Sequence, residues 1–235
     1  MKNIIIASTS TIYGGDFLEY LLKELEVLFK NTNEIIFVPY ARPSGISHEI
    51  YTDKVKSTFK KIGKSVKGLH EFKNPIEAIK NAKSIFVGGG NTFVLVNQLY
   101  KNDLIKPLQE AVLSGTPYLG TSAGSNICGL TMNTTNDMPI IYPPSFKTLA
   151  LVPFNINPHY LDPDPKSKHM GETRETRIKE FHKFNTQPVV GLREGSFLKV
   201  NNDDIILEGS LSARIFEADK APYELSTNSN LSFLK

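Results

Sequence analysis

Ser122 stands between two glycines in the stretch Gly120-Thr121-Ser122-Ala123-Gly124, with an apolar run before it and a short helix-like segment after it. A serine on a sharp strand-to-helix turn holds its hydroxyl clear of the backbone. Glycines two positions to either side remove the Cβ atoms that would clash there. A helix starting at this point aims free N–H groups at the reacting oxygen, and the N–H of Ala123 can donate to an oxyanion. The chemistry on offer is nucleophilic attack on a carbonyl. Gly and Ser are common residues, so the pattern alone also fits a small residue in a tight turn.

A serine nucleophile needs a base, and the base needs an orienting group. The five histidines are His48, His70, His159, His169 and His182. His48 lies near a helix start, His70 in a strand-like run, His169 in a polar loop and His182 on a charged helix. His159 is the most suggestive, because FNINPHY (154–160) reads as a short strand ending in Pro-His. Two acids compete to hold its imidazole: Asp137 in TTNDMP and Glu194 in LREG, just after the apolar PVVGL. The order Ser122, Asp137, His159 is the serine-acid-histidine order of α/β-hydrolases, but a triad is defined by geometry rather than order. A second glycine cluster, Gly88-Gly89-Gly90-Asn91, closes the strand-like SIFV. It is neither a dinucleotide fingerprint nor a P-loop. Gly89 or Gly90 could donate a second N–H to an oxyanion; a loop tightened for packing is the plainer alternative. Arg174 and Arg177 are three apart in GETRETR, hence neighbours on a helix, where a solvated face is the plain reading.

These residues need a scaffold that gathers them. Strand-like runs at 3–8, 34–40, 65–72, 84–90 and 117–122 alternate with helical patterns at 17–29, 49–62 and 74–82, the last opened by Asn74 and Pro75. Two further helical pieces, NTFVLVNQLY and DLIKPLQEAV, precede the serine strand. This alternation predicts an α/β fold with a mostly parallel sheet flanked by helices. In such a sheet the loops at strand C-terminal ends share one edge, where ligands bind, so both glycine turns fall on that edge. Residues 131–170 read as loops with short strands and 171–184 as a helix. VVGLRE, SFLKV, DIILEG and ARIFEA then form short strands of an antiparallel C-terminal extension. No repeat or linker interrupts the chain, so residues 1–235 are expected to form a single domain.

Composition narrows the class further. With 27 basic and 24 acidic residues spread along the 235-residue chain, no basic stripe for nucleic acid is present. The N-terminal apolar run, Ile4 to Ala7, is too short for a signal-peptide core or membrane span. Cys128 is the one cysteine, so no disulfide framework exists. No CxxC or HExxH spacing suggests a metal. These features point to a cytoplasmic protein with no cofactor.

GGGNTF (88–93), GTSAGSN (120–126), TTNDMPI (134–140), INPHY (156–160), GETRETRI (171–178) and GLREG (191–195) together resemble the peptidase E (α-aspartyl dipeptidase) family of serine peptidases. The resemblance extends N-terminally through IFVPYA and YTDKV and covers nearly the whole chain. TTNDMPI and INPH are far more specific than GxSxG. The resemblance implies a fold similar to class I glutamine amidotransferases, a flavodoxin-like three-layer arrangement with serine in place of their cysteine. It also implies hydrolysis of dipeptides that begin with an α-linked aspartate bearing a free amino group. Ser122 then matches the nucleophile and His159 the base. Asp137 ranks first as the third member, because TTNDMP is otherwise hard to explain, with Glu194 as the alternative. GETR implies Arg174 as reader of the substrate's side-chain carboxylate. Thr121 stands where relatives can have tryptophan, and the 161–169 loop looks variable. Two rivals remain: another hydrolase on this scaffold, such as a cyanophycinase-like enzyme, and a non-catalytic small-ligand binding module. The expected partner is a small dipeptide, with no nucleic acid or membrane; the oligomeric state, monomer or homodimer, stays open.

Overall fold

The first strand shows why the molecule is layered. Side chains alternate across a strand, and in β1 (Asn3–Ala7) Ile4 and Ile6 enter one core while Ile5 and Ala7 enter another. A strand apolar on both faces must be central and covered twice. A computed structural model, which describes residues 1–168 and 170–234, shows this arrangement. β1, β2 (Glu34–Val38), β3 (Ser65–Gly68), β4 (Ile85–Val87) and β5 (Tyr118–Thr121) run parallel in the spatial order β3-β2-β4-β5-β1. α1 (Leu22–Leu28) and α2 (His48–Lys60) cover one face through Leu25, Tyr51, Val55 and Phe59. α3 (Pro75–Asn81), α4 (Thr92–Lys101) and α5 (Ile105–Leu113) cover the other through Ile79, Leu95, Leu99 and Leu108. Each such buried side chain contributes about 1.5–3 kcal/mol relative to exposure.

The C-terminal third does not form one extension. β8 (Ser196–Asn201) and β9 (Asp204–Gly209) join the main sheet antiparallel, beyond β1. β6 (Asn155–Pro158), β7 (Val189–Leu192), β10 (Ala213–Phe216) and β11 (Tyr223–Leu225) make a second sheet, ordered β11-β10-β7-β6, in which β6 and β7 are parallel. Gly195, with φ 89°, makes the corner where the chain leaves one sheet for the other. Among the described residues no helix is long and apolar enough to cross a membrane.

Several boundaries differ from the sequence pattern. Leu18, at φ 58°, delays the helix expected over 17–29, which then runs as a 3-10 turn (Glu19–Leu21) followed by α1. The run expected as a strand to residue 72 ends at Gly68, where the Glu71 carboxylate accepts the Gly68 N–H and starts a turn. α6 (Ala123–Asn126) is a single turn. α7 (Arg174–Phe181) is shorter than 171–184 because the Thr173 hydroxyl caps it by accepting the Thr176 N–H. β11 escapes the sequence reading because three residues show too little alternation.

Candidate active site

Close packing explains the two glycines around Ser122. A Cβ on Gly120 would strike the Gly124 carbonyl, and one on Gly124 would strike the Val87 carbonyl of β4. The turn therefore presses two strands and a helix start together with no room for side chains. Ser122 sits at φ 54° and ψ −111°, a strained conformation for a residue with a Cβ. Its carbonyl accepts from the Ser125 and Asn126 N–H groups, and its N–H is fixed to the Ala7 carbonyl at 3.2 Å. The Ala123 N–H, at the first position of α6, makes no hydrogen bond among the described residues.

The glycine cluster after β4 reaches the same place. A Cβ on Gly89 would lie 2.9 Å from the Ser122 Cβ, so only glycine lets this loop pass the nucleophile. The two candidate amides there have different fates. Gly89 donates its N–H to the Tyr51 hydroxyl at 3.1 Å. The Gly90 N–H makes no hydrogen bond among the described residues.

His159 follows β6 and also holds a left-handed backbone, φ 53°. Its N–H donates to the Ser8 hydroxyl at 2.9 Å. Its Nδ1 lies 2.6 Å from Glu194 Oε1, a short, charge-assisted contact. Glu194 follows β7, and β6 and β7 are hydrogen-bonded neighbours, so the two side chains leave adjacent strand ends.

Asp137, first choice from the sequence for the acid, is elsewhere. Its Oδ2 accepts from the Thr92 N–H at 2.7 Å, the Thr92 hydroxyl at 2.7 Å and the Thr135 hydroxyl at 3.0 Å. It thus satisfies the N-terminus of α4, where free N–H groups and the helix dipole favour an anion. The rest of the TTND motif has an equally local cause. β6 pairs with β7 on one side only, and the loop closes its open edge. Thr134 donates its hydroxyl to the Ile156 carbonyl, Asn136 donates to the Pro158 carbonyl, and Asn157 donates to the Thr134 carbonyl. TTND and INPH are thus two halves of one hydrogen-bonded strap, which ends at His159.

The remaining histidines stay apart from this constellation. His48 stacks near Tyr40 and His70, His70 faces Glu49, and His182 bonds to the Gln187 carbonyl. His169 lies outside the described residues. Among the described residues no cluster of His, Cys, Asp and Glu could hold a metal ion.

Arg174 and Arg177 have no salt-bridge partner among the described residues, whereas Arg193 and Arg214 are both tied to carboxylates. Arg174 lines a cavity of about 350 Å³ with Asp162, Pro163 and Thr173. Arg177 lines the same cavity and a second, of about 360 Å³, with Asp137, Phe93 and Phe146. Burial pulls the Arg174 guanidinium below its ordinary range, and the Arg177 charge does so further, while Asp137 acts in the opposite sense. Arg174 is partly buried and Arg177 exposed, and neither is paired with a carboxylate among the described residues, which leaves Arg174 able to bind one. Tyr51 and Asn136 carry no mark of their roles in the sequence, because their partners, the Gly89 backbone for one and the Pro158 carbonyl and Asn157 amide for the other, are distant along the chain.

Comparison with known proteins agrees with this architecture. The sequence profile of peptidase family S51 matches residues 4–208. A Drosophila melanogaster protein named probable alpha-aspartyl dipeptidase is 46% identical over 99% of this chain and 97% of its own length. Peptidase E of Streptomyces coelicolor is 47% identical, over 99% of this chain and 94% of its own. The crystal structure of a peptidase from an acI-B1 Actinobacterium superposes with a TM-score of 0.72 at 16% identity, covering 99% of this chain and 97% of that one, a likeness of fold.

Proposed function

Because this chain belongs to peptidase family S51, we propose that it is a single-domain serine dipeptidase cleaving dipeptides with an N-terminal α-linked aspartate. Ser122 is the nucleophile, His159 the base and Glu194 the group that orients the imidazole. The observation behind these roles is the 2.6 Å contact of His159 Nδ1 with Glu194, together with a strained serine whose hydroxyl makes no hydrogen bond among the described residues. The names of the relatives support the substrate class.

In the reaction, Ser122 Oγ attacks the scissile carbonyl carbon and gives its proton to His159. The oxyanion accepts from the Ala123 N–H and the Gly90 N–H; losing one such donor typically raises a barrier by about 3 kcal/mol. His159 then protonates the leaving amine, and the C–N bond breaks. A water, deprotonated by His159, attacks the aspartyl ester, which releases aspartate and returns the proton to Ser122. Glu194 holds one tautomer throughout and stabilises the imidazolium.

Arg174 reads the aspartate side chain. A neutral asparagine leaves that cation without its anion, and a glutamate is one methylene too long to keep both the ion pair and the reacting carbonyl aligned. The buried, unpaired Cys128 accords with a reducing cytoplasmic setting. Incubation with Asp-Leu, Asn-Leu, Glu-Leu and N-acetyl-Asp-Leu tests the reading. Cleavage of Asp-Leu alone supports it, and equal cleavage of Asn-Leu removes Arg174 from its role.

A further inference from the structure

One buried hydroxyl bonds to the backbone of the base and to the strand end before its acid, and no motif in the sequence marks it. Ser8 follows β1 and is fully buried. Its Oγ donates to the Leu192 carbonyl at 2.7 Å and accepts the His159 N–H at 2.9 Å. Next to it, the Ala7 carbonyl accepts the Ser122 N–H at 3.2 Å and the Ser125 hydroxyl at 2.6 Å. The dipeptide Ala7-Ser8 therefore bonds to the backbone of the nucleophile, the backbone of the base, and the strand end two residues before Glu194.

This matters because the triad straddles two sheets. Ser122 leaves β5 in the main sheet, whereas His159 and Glu194 leave β6 and β7 in the second. No strand ladder joins β1 to β6 or β7. At the site the sheets are linked by side chains: Ser8, and Asn126, whose amide donates to the Ile156 carbonyl at 2.8 Å. Ser8 is the link that reaches His159 itself. It also holds a residue at φ 53°, a conformation that persists only when its surroundings impose it.

We infer that Ser8 is a positioning residue for this peptidase reaction: its hydroxyl fixes where the His159 imidazole stands relative to Ser122. The inference rests on the roles given above to Ser122, His159 and Glu194. Ser8 touches no substrate, so its loss should slow chemistry and spare binding. A displacement of about 1 Å can cost roughly a hundredfold in rate.

The test compares Ser8→Ala with Ser84→Ala. Ser84 is equally buried and donates its hydroxyl to the Glu34 carbonyl at 2.8 Å, at the opposite end of the sheet. Ser84 also reaches the Thr32 hydroxyl at 3.4 Å, so each variant loses two buried hydrogen bonds and some thermal stability. Four quantities are measured: melting temperature, kcat and KM for Asp-Leu, and the rate at which a fluorophosphonate labels Ser122. Ser8→Ala should lower kcat and the labelling rate about 10- to 100-fold, with KM within about threefold. Ser84→Ala should leave kcat, KM and the labelling rate within about twofold. A Ser8→Ala enzyme whose kcat and labelling rate stay within about threefold of wild type overturns the inference, as does a loss confined to KM or matched by Ser84→Ala. If Ser8→Ala cannot be purified folded, Ser8→Cys must show the same loss in kcat alone, since a thiol keeps the volume but bonds weakly. A wild-type enzyme that is labelled but does not cut Asp-Leu contradicts the substrate assignment only, and the labelling rates still decide the role of Ser8. A wild-type enzyme never labelled at Ser122 overturns both.

Discussion

His159 Nδ1 meets Glu194 Oε1 at 2.6 Å, while Asp137 turns its carboxylate to Thr92 and Thr135 at the head of α4. Two acids that the sequence leaves in competition thus have different tasks. Replacing Glu194 by Gln keeps the shape but allows the wrong imidazole tautomer, and kcat should fall by roughly 10³- to 10⁴-fold with little change in stability. Asp137→Ala should lower stability by about 1–2 kcal/mol, because it leaves the Thr92 N–H and two hydroxyls without their acceptor. Steady-state kinetics and urea unfolding on the pair separate the two tasks.

Arg174 has no carboxylate partner among the described residues and is partly withdrawn from water. Arg174→Ala should reduce kcat/KM for Asp-Leu by at least about a hundredfold and erase the preference over Asn-Leu. A loss below about tenfold would remove it as the carboxylate reader.

Gly89 passes so near Ser122 that an added methyl would sit 2.9 Å from the serine Cβ. Gly89→Ala must shift either the loop or the nucleophile. Turnover of Asp-Leu should fall by about a hundredfold or more, and a structure of the variant should show Ser122 displaced.

An ionic cluster behind the site makes stability depend on acid. Arg193 binds Asp162 through two nitrogens, at 2.7 and 2.8 Å, and also holds Glu224. The Arg193 hydrogen bonds hold the Asp162 carboxyl below its ordinary range. Burial opposes the same effect on Glu224, but hydrogen bonds from Arg193 and Ser212 outweigh it. Carboxylates whose folded pKa is depressed bind fewer protons folded than unfolded. Their stabilisation is complete above the unfolded value, near pH 4, and is lost as pH falls through the folded values. The urea midpoint of the wild type should therefore drop below about pH 4, and Arg193→Met should flatten that dependence while lowering the midpoint at pH 7.

Much of this was legible in the sequence, because the cause was local. Ile4 to Ala7 alternate between two cores, and Asn74 with Pro75 opens α3 as expected. The turn at Ser122 follows from the GxSxG pattern, whereas the acid that meets His159 is Glu194, ranked second from the sequence. What stayed hidden depends on long-range contacts. Asp137 ranked first because its motif had no visible purpose in the sequence, and the motif's hydrogen bonds run to the edge of β6 and the end of α4, some 20 and 45 residues away. The division of the C-terminal strands between two sheets turns on one glycine corner, which no periodicity reveals. Gly89 and Gly90 were equal candidates until the Tyr51 hydroxyl, 38 residues away, claimed one amide.

The most direct measurement is the initial rate of Asp-Leu hydrolysis by the wild type and by Ser122→Ala, purified in parallel. The account predicts turnover by the wild type and a loss of at least about 10⁴-fold in the variant. A Ser122→Ala enzyme that keeps a rate within about tenfold of wild type contradicts serine catalysis here, whatever the substrate panel shows.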